Sequence, residues 1–187
     1  MTYNGPANGP GLSSSGTNST DIQAQSLNGN AAIDASGNMS GHVTSTQSSE
    51  NTFVGLFAAG GGPDGNASVI YRSGTIDVQG RAANGIFAGA SGDGSAEITT
   101  LPGTTIIVSG TNPGDSTPTK PVTAGMSAEL GGAAALGSAI TVNAASTIDM
   151  FGTVTPNASI FGNPVGIRAL SKAVTDSAPI FVDYTGP

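Results

Sequence analysis

One short phrase occurs four times in this chain, and its recurrence constrains the fold more than length or composition does. The copies are Val54-Gly55-Leu56-Phe57-Ala58, Asn84-Gly85-Ile86-Phe87-Ala88, Ala124-Gly125-Met126-Ser127-Ala128 and Val165-Gly166-Ile167-Arg168-Ala169. Each reads x-Gly-apolar-x-Ala, and the glycines are 30, 40 and 41 residues apart (85−55, 125−85, 166−125). A period of this size is the signature of a solenoid or another stacked-repeat architecture. A second phrase follows each copy: Ala67-Ser68-Val69-Ile70-Tyr71, Ala96-Glu97-Ile98-Thr99-Thr100, Ala139-Ile140-Thr141-Val142 and Ile180-Phe181-Val182-Asp183-Tyr184. The middle units add a third: Ser73-Gly74-Thr75-Ile76-Asp77-Val78, Gly103-Thr104-Thr105-Ile106-Ile107-Val108 and Ser146-Thr147-Ile148-Asp149-Met150. Apolar and polar residues alternate with period two and β-branched residues abound, so each phrase predicts a short strand. A weaker unit precedes these, with Asp21-Ile22-Gln23-Ala24 as its first phrase and Ala31-Ala32-Ile33-Asp34-Ala35 as a later one.

Three short strands per unit, joined by Gly, Asn, Ser and Pro corners, predict an all-β fold: a parallel β-solenoid of about five coils with loop insertions. Each unit winds once and hydrogen-bonds to its predecessor, leaving a narrow interior that small and branched side chains can fill. The composition agrees, with 29 Gly, 11 Pro, no Cys, no Trp, and aromatics at 5%. A β-sandwich is the competing reading, but its strands need only alternate, whereas here the phrases keep one order in every unit. The organisation expected is a low-complexity Gly/Pro/Ser/Asn leader over residues 1–20, solenoid repeats over 21–172, and an edge-covering strand within 173–187. Segments 110–122 and 152–164 carry the turn formers and prolines of loop insertions. Ile76, Val78, Ile106, Val108, Ile148 and Met150 are expected to line one inner wall, and Gly85, Gly125 and Gly166 to hold equivalent corners.

The x-Gly-Ile-x-Ala phrase followed by Ser-Gly-Thr-Ile-x-Val resembles the passenger region of bacterial autotransporters and related filamentous adhesins, over roughly residues 50–172. The resemblance implies a right-handed β-helix at the cell surface that carries adhesion or projects from the cell. Met1 is followed by Thr2-Tyr3-Asn4-Gly5 rather than by a basic and then apolar stretch, so no export signal is read in this chain. No apolar run approaches the roughly 20 residues that cross a bilayer as a helix.

The chain carries 12 Asp and Glu against 5 Lys and Arg, a net charge of −7, which argues against nucleic acid as a partner. Asp34, Asp77 and Asp149 each follow an Ile in an alternating strand and are expected on one outward face. With Ile107 between them, Asp77 and Asp149 fall two rungs apart, about 9.5 Å at a strand spacing of about 4.8 Å. Inverting glycosidases hold their two carboxyl groups roughly 6.5 to 9.5 Å apart. An apolar Ile107 between the acids nevertheless fits ordinary solvent-facing variation better than a prepared site. The turns Gly60–Asn66 and Ser91–Ser95 offer oxygens that calcium accepts, but they lack the fixed Asp spacing of calcium-bound repeats, and Asp-Gly turn formation accounts for them. His42 is the single histidine and is expected in a solvated loop. Asn18, Asn38, Asn66 and Asn157 begin Asn-x-Ser/Thr triplets, as a Ser- and Asn-rich chain produces by chance. Thr99, Thr100, Thr104, Thr105, Thr141 and Thr147 are favoured strand residues and form no strict Thr-x-Thr series.

The chain is therefore read as a non-enzyme with no catalytic, cofactor or metal residues. The expected function is an extracellular structural or adhesive solenoid segment of a bacterial surface protein, within a larger parent chain. The alternatives are a self-associating filament subunit joined by terminal strand addition, and a solenoid that binds or cleaves host or surface glycans.

Overall fold

The computed structural model describes residues 1–5, 11–15, 19–42, 53–80, 83–111, 123–131, 137–153, 165–172 and 178–187. Its strands are β1 Thr2–Asn4, β2 Leu12–Ser15, β3 Ser19–Gln25, β4 Ala31–Ser36, β5 Met39–His42, β6 Phe53–Gly60, β7 Ala67–Tyr71 and β8 Gly74–Gln79. They continue as β9 Asn84–Ser91, β10 Ala96–Thr100, β11 Thr104–Thr111, β12 Ala124–Gly131, β13 Ile140–Ala144, β14 Thr147–Thr153, β15 Val165–Ser171 and β16 Ile180–Tyr184. Every third strand joins the same sheet. Sheet A runs β1-β4-β7-β10-β13-β16, sheet B β2-β5-β8-β11-β14 and sheet C β3-β6-β9-β12-β15. All pairings between these strands are parallel. The fold is thus a parallel β-solenoid, and the sandwich reading falls away because there are three all-parallel sheets where a sandwich has two antiparallel ones.

The register turns the repeated phrases into columns. On sheet A, Ile33, Val69, Ile98 and Val142 align and are buried. On sheet B, Met39, Ile76, Ile106 and Ile148 align, as do Val78, Val108 and Met150. These are the residues expected along one inner wall; Ile76, Val78, Ile106 and Val108 are fully buried, while Ile148 and Met150 in the last sheet B strand are partly covered. On sheet C, Ile22, Leu56, Ile86, Met126 and Ile167 align, with Ala24, Ala58, Ala88, Ala128 and Ala169 beside them. The Ala of the repeated phrase is thus a core position at which the interior has room for one methyl group.

The glycines of that phrase are equivalent but do not form the corner itself, because Gly85, Gly125 and Gly166 each stand second in their strand. Close approach explains them. A Cβ on Gly55 would lie 2.7 Å from Ile76 Cγ2 and 2.7 Å from the Gly85 carbonyl oxygen, and one on Gly125 would lie 2.6 Å from both Ile148 Cγ2 and the Gly166 oxygen. Gly55, Gly85 and Gly125 therefore let the start of a sheet C strand press against the sheet B wall, whereas a Cβ on Gly166, in the last sheet C strand, would meet only Ile148 Cγ2 at 3.9 Å, an ordinary contact.

Polar side chains hold coil to coil at the corners between sheets. Between sheets C and A, Asn30 Oδ1 accepts from the Asn66 amide N–H at 3.0 Å, Asn66 Oδ1 from the Ser95 N–H at 2.7 Å, and Ser95 Oγ from the Ala139 N–H at 3.1 Å. Between sheets A and B, the Tyr71 hydroxyl donates to the Gly37 carbonyl at 3.0 Å, and the Thr104 and Ser146 hydroxyls bond to each other.

The stretch read as a leader contains β1 and β2, and β3 begins at Ser19, so the stack starts at Thr2. At the other end β16 adds to β13 from Ile140↔Ile180 to Ala144↔Tyr184, within the stretch read as an edge-covering strand. Residues 173–177 lie outside the described residues, as do the two expected insertions beyond Gly110–Thr111 and Gly152–Thr153.

Candidate functional site

Sheet B presents the acidic row expected from the sequence. Ile107 pairs with Asp77 on one side and Asp149 on the other, so the two carboxylate-bearing residues stand two strands apart with an apolar side chain between them. Asp34 does not join them. It lies on sheet A, paired with Thr2 and Ile70, and the corresponding sheet B position in its coil is Ser40. The reason is alignment: Ala31–Ala35 matches the second phrase of the later units, not the third, so an Ile-Asp pair faces a different wall. Asp34 is instead engaged by Arg72, whose Nε and Nη2 donate to its two oxygens at 2.6 and 2.8 Å. Those hydrogen bonds hold the Asp34 carboxyl below its ordinary range.

Beside the acidic row stands a threonine column, Thr75, Thr105 and Thr147, which the sequence reading missed. The available signal was position rather than spacing, since each Thr immediately precedes the inward Ile of the third phrase. His42 sits at the end of β5 in the column of Ser15 and Gln79, exposed in a strand rather than in a loop. The Asp64 and Asp93 turns stack on one another: Gly62 and Gly92 take φ of +81° and +66°, and the Asp93 N–H donates to the Pro63 carbonyl. Among the described residues no three of His, Asp and Glu gather as metal ligands.

The outer face of sheet C carries the most distinctive chemistry. Phe57 and Phe87 stack with ring centroids 5.1 Å apart and planes 9° from parallel. Their column runs from Gln23 through both rings to Ser127 and Arg168. The neighbouring column holds Ala59, then Gly89, over which the Phe87 ring lies, and then Glu129. Glu129 pairs with Arg168 and, at 2.8 Å, with Lys172. The face thus joins an aromatic pair to a charge cluster in which one carboxylate, Glu129, is shared by two cations, Arg168 and Lys172.

The Asp21 carboxyl is half-buried. Asp21 occupies the column position that Gly55, Gly85 and Gly125 hold in later coils, as the flanking pairs Thr20↔Val54 and Ile22↔Leu56 require. Its Oδ1 accepts from Ser14 Oγ at 2.9 Å, while Oδ2 is buried with no hydrogen-bond partner among the described residues. Burial pushes its pKa up to about 6 against the opposing pull of the Ser14 hydrogen bond. No family model, curated protein or solved structure matches this chain.

Proposed function

We propose that this chain is a structural segment of a bacterial surface protein, a β-solenoid that projects and presents its flat outer faces outside the cell. The observation that carries the reading is the use made of its polar side chains. Asn30, Asn66, Ser95, Thr104 and Ser146 bond from coil to coil, so they extend and stiffen a stack. The resemblance of the repeated phrase to autotransporter and filamentous-adhesin passengers supports the surface assignment. The test is protease accessibility in intact producing cells. The expected result is a chain labelled by antibody and trimmed by added protease without lysis; a chain reached only after lysis overturns the proposal.

The Phe57–Phe87 platform favours a second, adhesive reading. Aromatic faces stack on the apolar faces of sugar rings, and Gln23 and Arg168 stand in the same column as hydrogen-bond donors. Screening the purified chain against surface glycans should then give binding that Phe87→Ala abolishes without loss of strand signal.

A further inference from the structure

The three outer faces differ in charge. Among the described residues, sheet A presents Asp34, Glu97 and Asp183 and sheet B presents Asp77 and Asp149, with Arg72 the one Lys or Arg on either face. Sheet C reverses the balance: its described outer face carries Arg168 and Lys172 against one carboxylate, Glu129, which both cations engage. Asp21 takes an inward column of that sheet, and Asp64 and Asp93 lie in the turns beyond β6 and β9. Exposed charges separated by more than about 8 Å are largely screened at physiological ionic strength. The excess cation on sheet C, rather than the net charge of −7, therefore governs what approaches that face.

We propose that the ligand of the sheet C face is an acidic oligosaccharide, with sugar rings stacked on the Phe57–Phe87 pair and a carboxylate held by the Lys172 ammonium. The inference rests on the adhesive reading above and names its ligand class. The two rings are partly exposed and supply stacking area that is indifferent to charge. Lys172 supplies the choice of an acidic sugar over a neutral one, as a complementary charge at the edge of a contact does.

Geometry sets the length of that ligand. Phe87 and Arg168 are two strand spacings apart, about 9.6 Å, and Lys172 lies four residues beyond Arg168, about 13 Å along the strand, so ring and ammonium are rooted about 16 Å apart. One sugar ring cannot span that distance, whereas an oligosaccharide can. Gly89 and Gly131 put no side chain on the path. Lys172 is exposed, while the Arg168 and Glu129 side chains are only 15% and 16% exposed. Arg168 acts by occupying Glu129, so the Lys172 ammonium shares its carboxylate with a second cation and keeps its attraction for an incoming anion.

Two matched pairs of probes separate charge from stacking: an oligogalacturonate against the same oligomer with its carboxyl groups reduced to alcohols, and a sialylated glycan against its desialylated form. In titration calorimetry of the purified chain at low salt, the acidic member of at least one pair is expected to bind about fivefold more tightly than its neutral partner. High salt should bring that ratio toward one. Lys172→Gln should do the same while leaving the affinity for the neutral member unchanged, and Lys172→Arg should retain the preference. Glu129→Gln, which removes the one carboxylate of the cluster, should raise the ratio. Phe87→Ala should abolish binding of both members with an unchanged strand signal. Equal binding within both pairs, or a preference that survives Lys172→Gln, overturns the proposal and leaves the adhesive reading standing. Failure of every probe, charged or neutral, or acidic binding that Phe87→Ala leaves intact, overturns the adhesive reading and the proposal with it.

Discussion

At the scale of single residues, glycine acts here through space in one place and through backbone conformation in another, and the two make different predictions. Gly85 has no unusual φ, but a Cβ there would overlap Ile106 Cγ2 and lie 2.7 Å from the Gly125 oxygen, so neither neighbour can yield without moving a coil. Gly85→Ala is expected to destabilise by about 2 to 3 kcal/mol in denaturant titration. Gly103 has φ +84° and nothing within 4 Å of a built Cβ, so Gly103→Ala should cost only about 1 kcal/mol, from backbone strain. Asp21 shows what replaces glycine in β3, the first described strand of sheet C. There Gly41 stands in the Val78 column, and the Asp21 carboxyl is met by Ser14 of β2. Because the folded pKa lies near 6, above the ordinary value of 3.8, the stability tied to the neutral form is complete below pH 3.8 and is lost as pH rises through 6. Relative to Asp21→Asn, the natural chain should lose about 2 kcal/mol between pH 4 and pH 7, a figure reduced for the partial exposure of the site. Parallel melting curves across that range will measure it, and a constant difference between the two proteins would refute the buried assignment.

At the scale of elements, strands were legible where side chains alternate strongly and where the phrase recurs. The register among β8, β11 and β14 follows from the sequence alone because Ile76, Ile106 and Ile148 occupy one place in one phrase. The wall on which Asp34 falls was not legible, because an Ile-Asp pair is compatible with either sheet and the first unit lacks the flanking Ser-Gly-Thr. Leu12–Ser15 is a strand for a reason outside its own sequence: three serines bury little, and its order comes from backbone pairing to Met39–His42. The corner ladders were hidden too, since Asn66 looks like an ordinary turn residue until Asn30 and Ser95 are stacked around it. Asn66→Ala removes the side-chain bonds to Ser95 N–H and Asn30 Oδ1 and should cost about 1 to 2 kcal/mol, with faster amide exchange at Ser95 as its local signature.

At the scale of the whole molecule, stability comes from each coil using its neighbour as the other half of its core, which is why so few large side chains suffice. Among the described residues Tyr71 is the largest that is fully buried, and most of the interior is Ala, Val and Ile. Ile106 sits between Ile76 and Ile148 with no exposure, so Ile106→Asp should unfold the central coils rather than one strand, an effect visible as loss of the strand signal in circular dichroism. The central claim is that residues thirty to forty positions apart are parallel neighbours along continuous columns. Cross-strand NMR contacts test this most directly. The account predicts parallel-sheet backbone contacts linking Val69 to Ile98 and Ile98 to Val142, and likewise Ile76 to Ile106 and Ile106 to Ile148. Strong Hα–Hα contacts between sequence-adjacent strands, as antiparallel hairpins give, would contradict it.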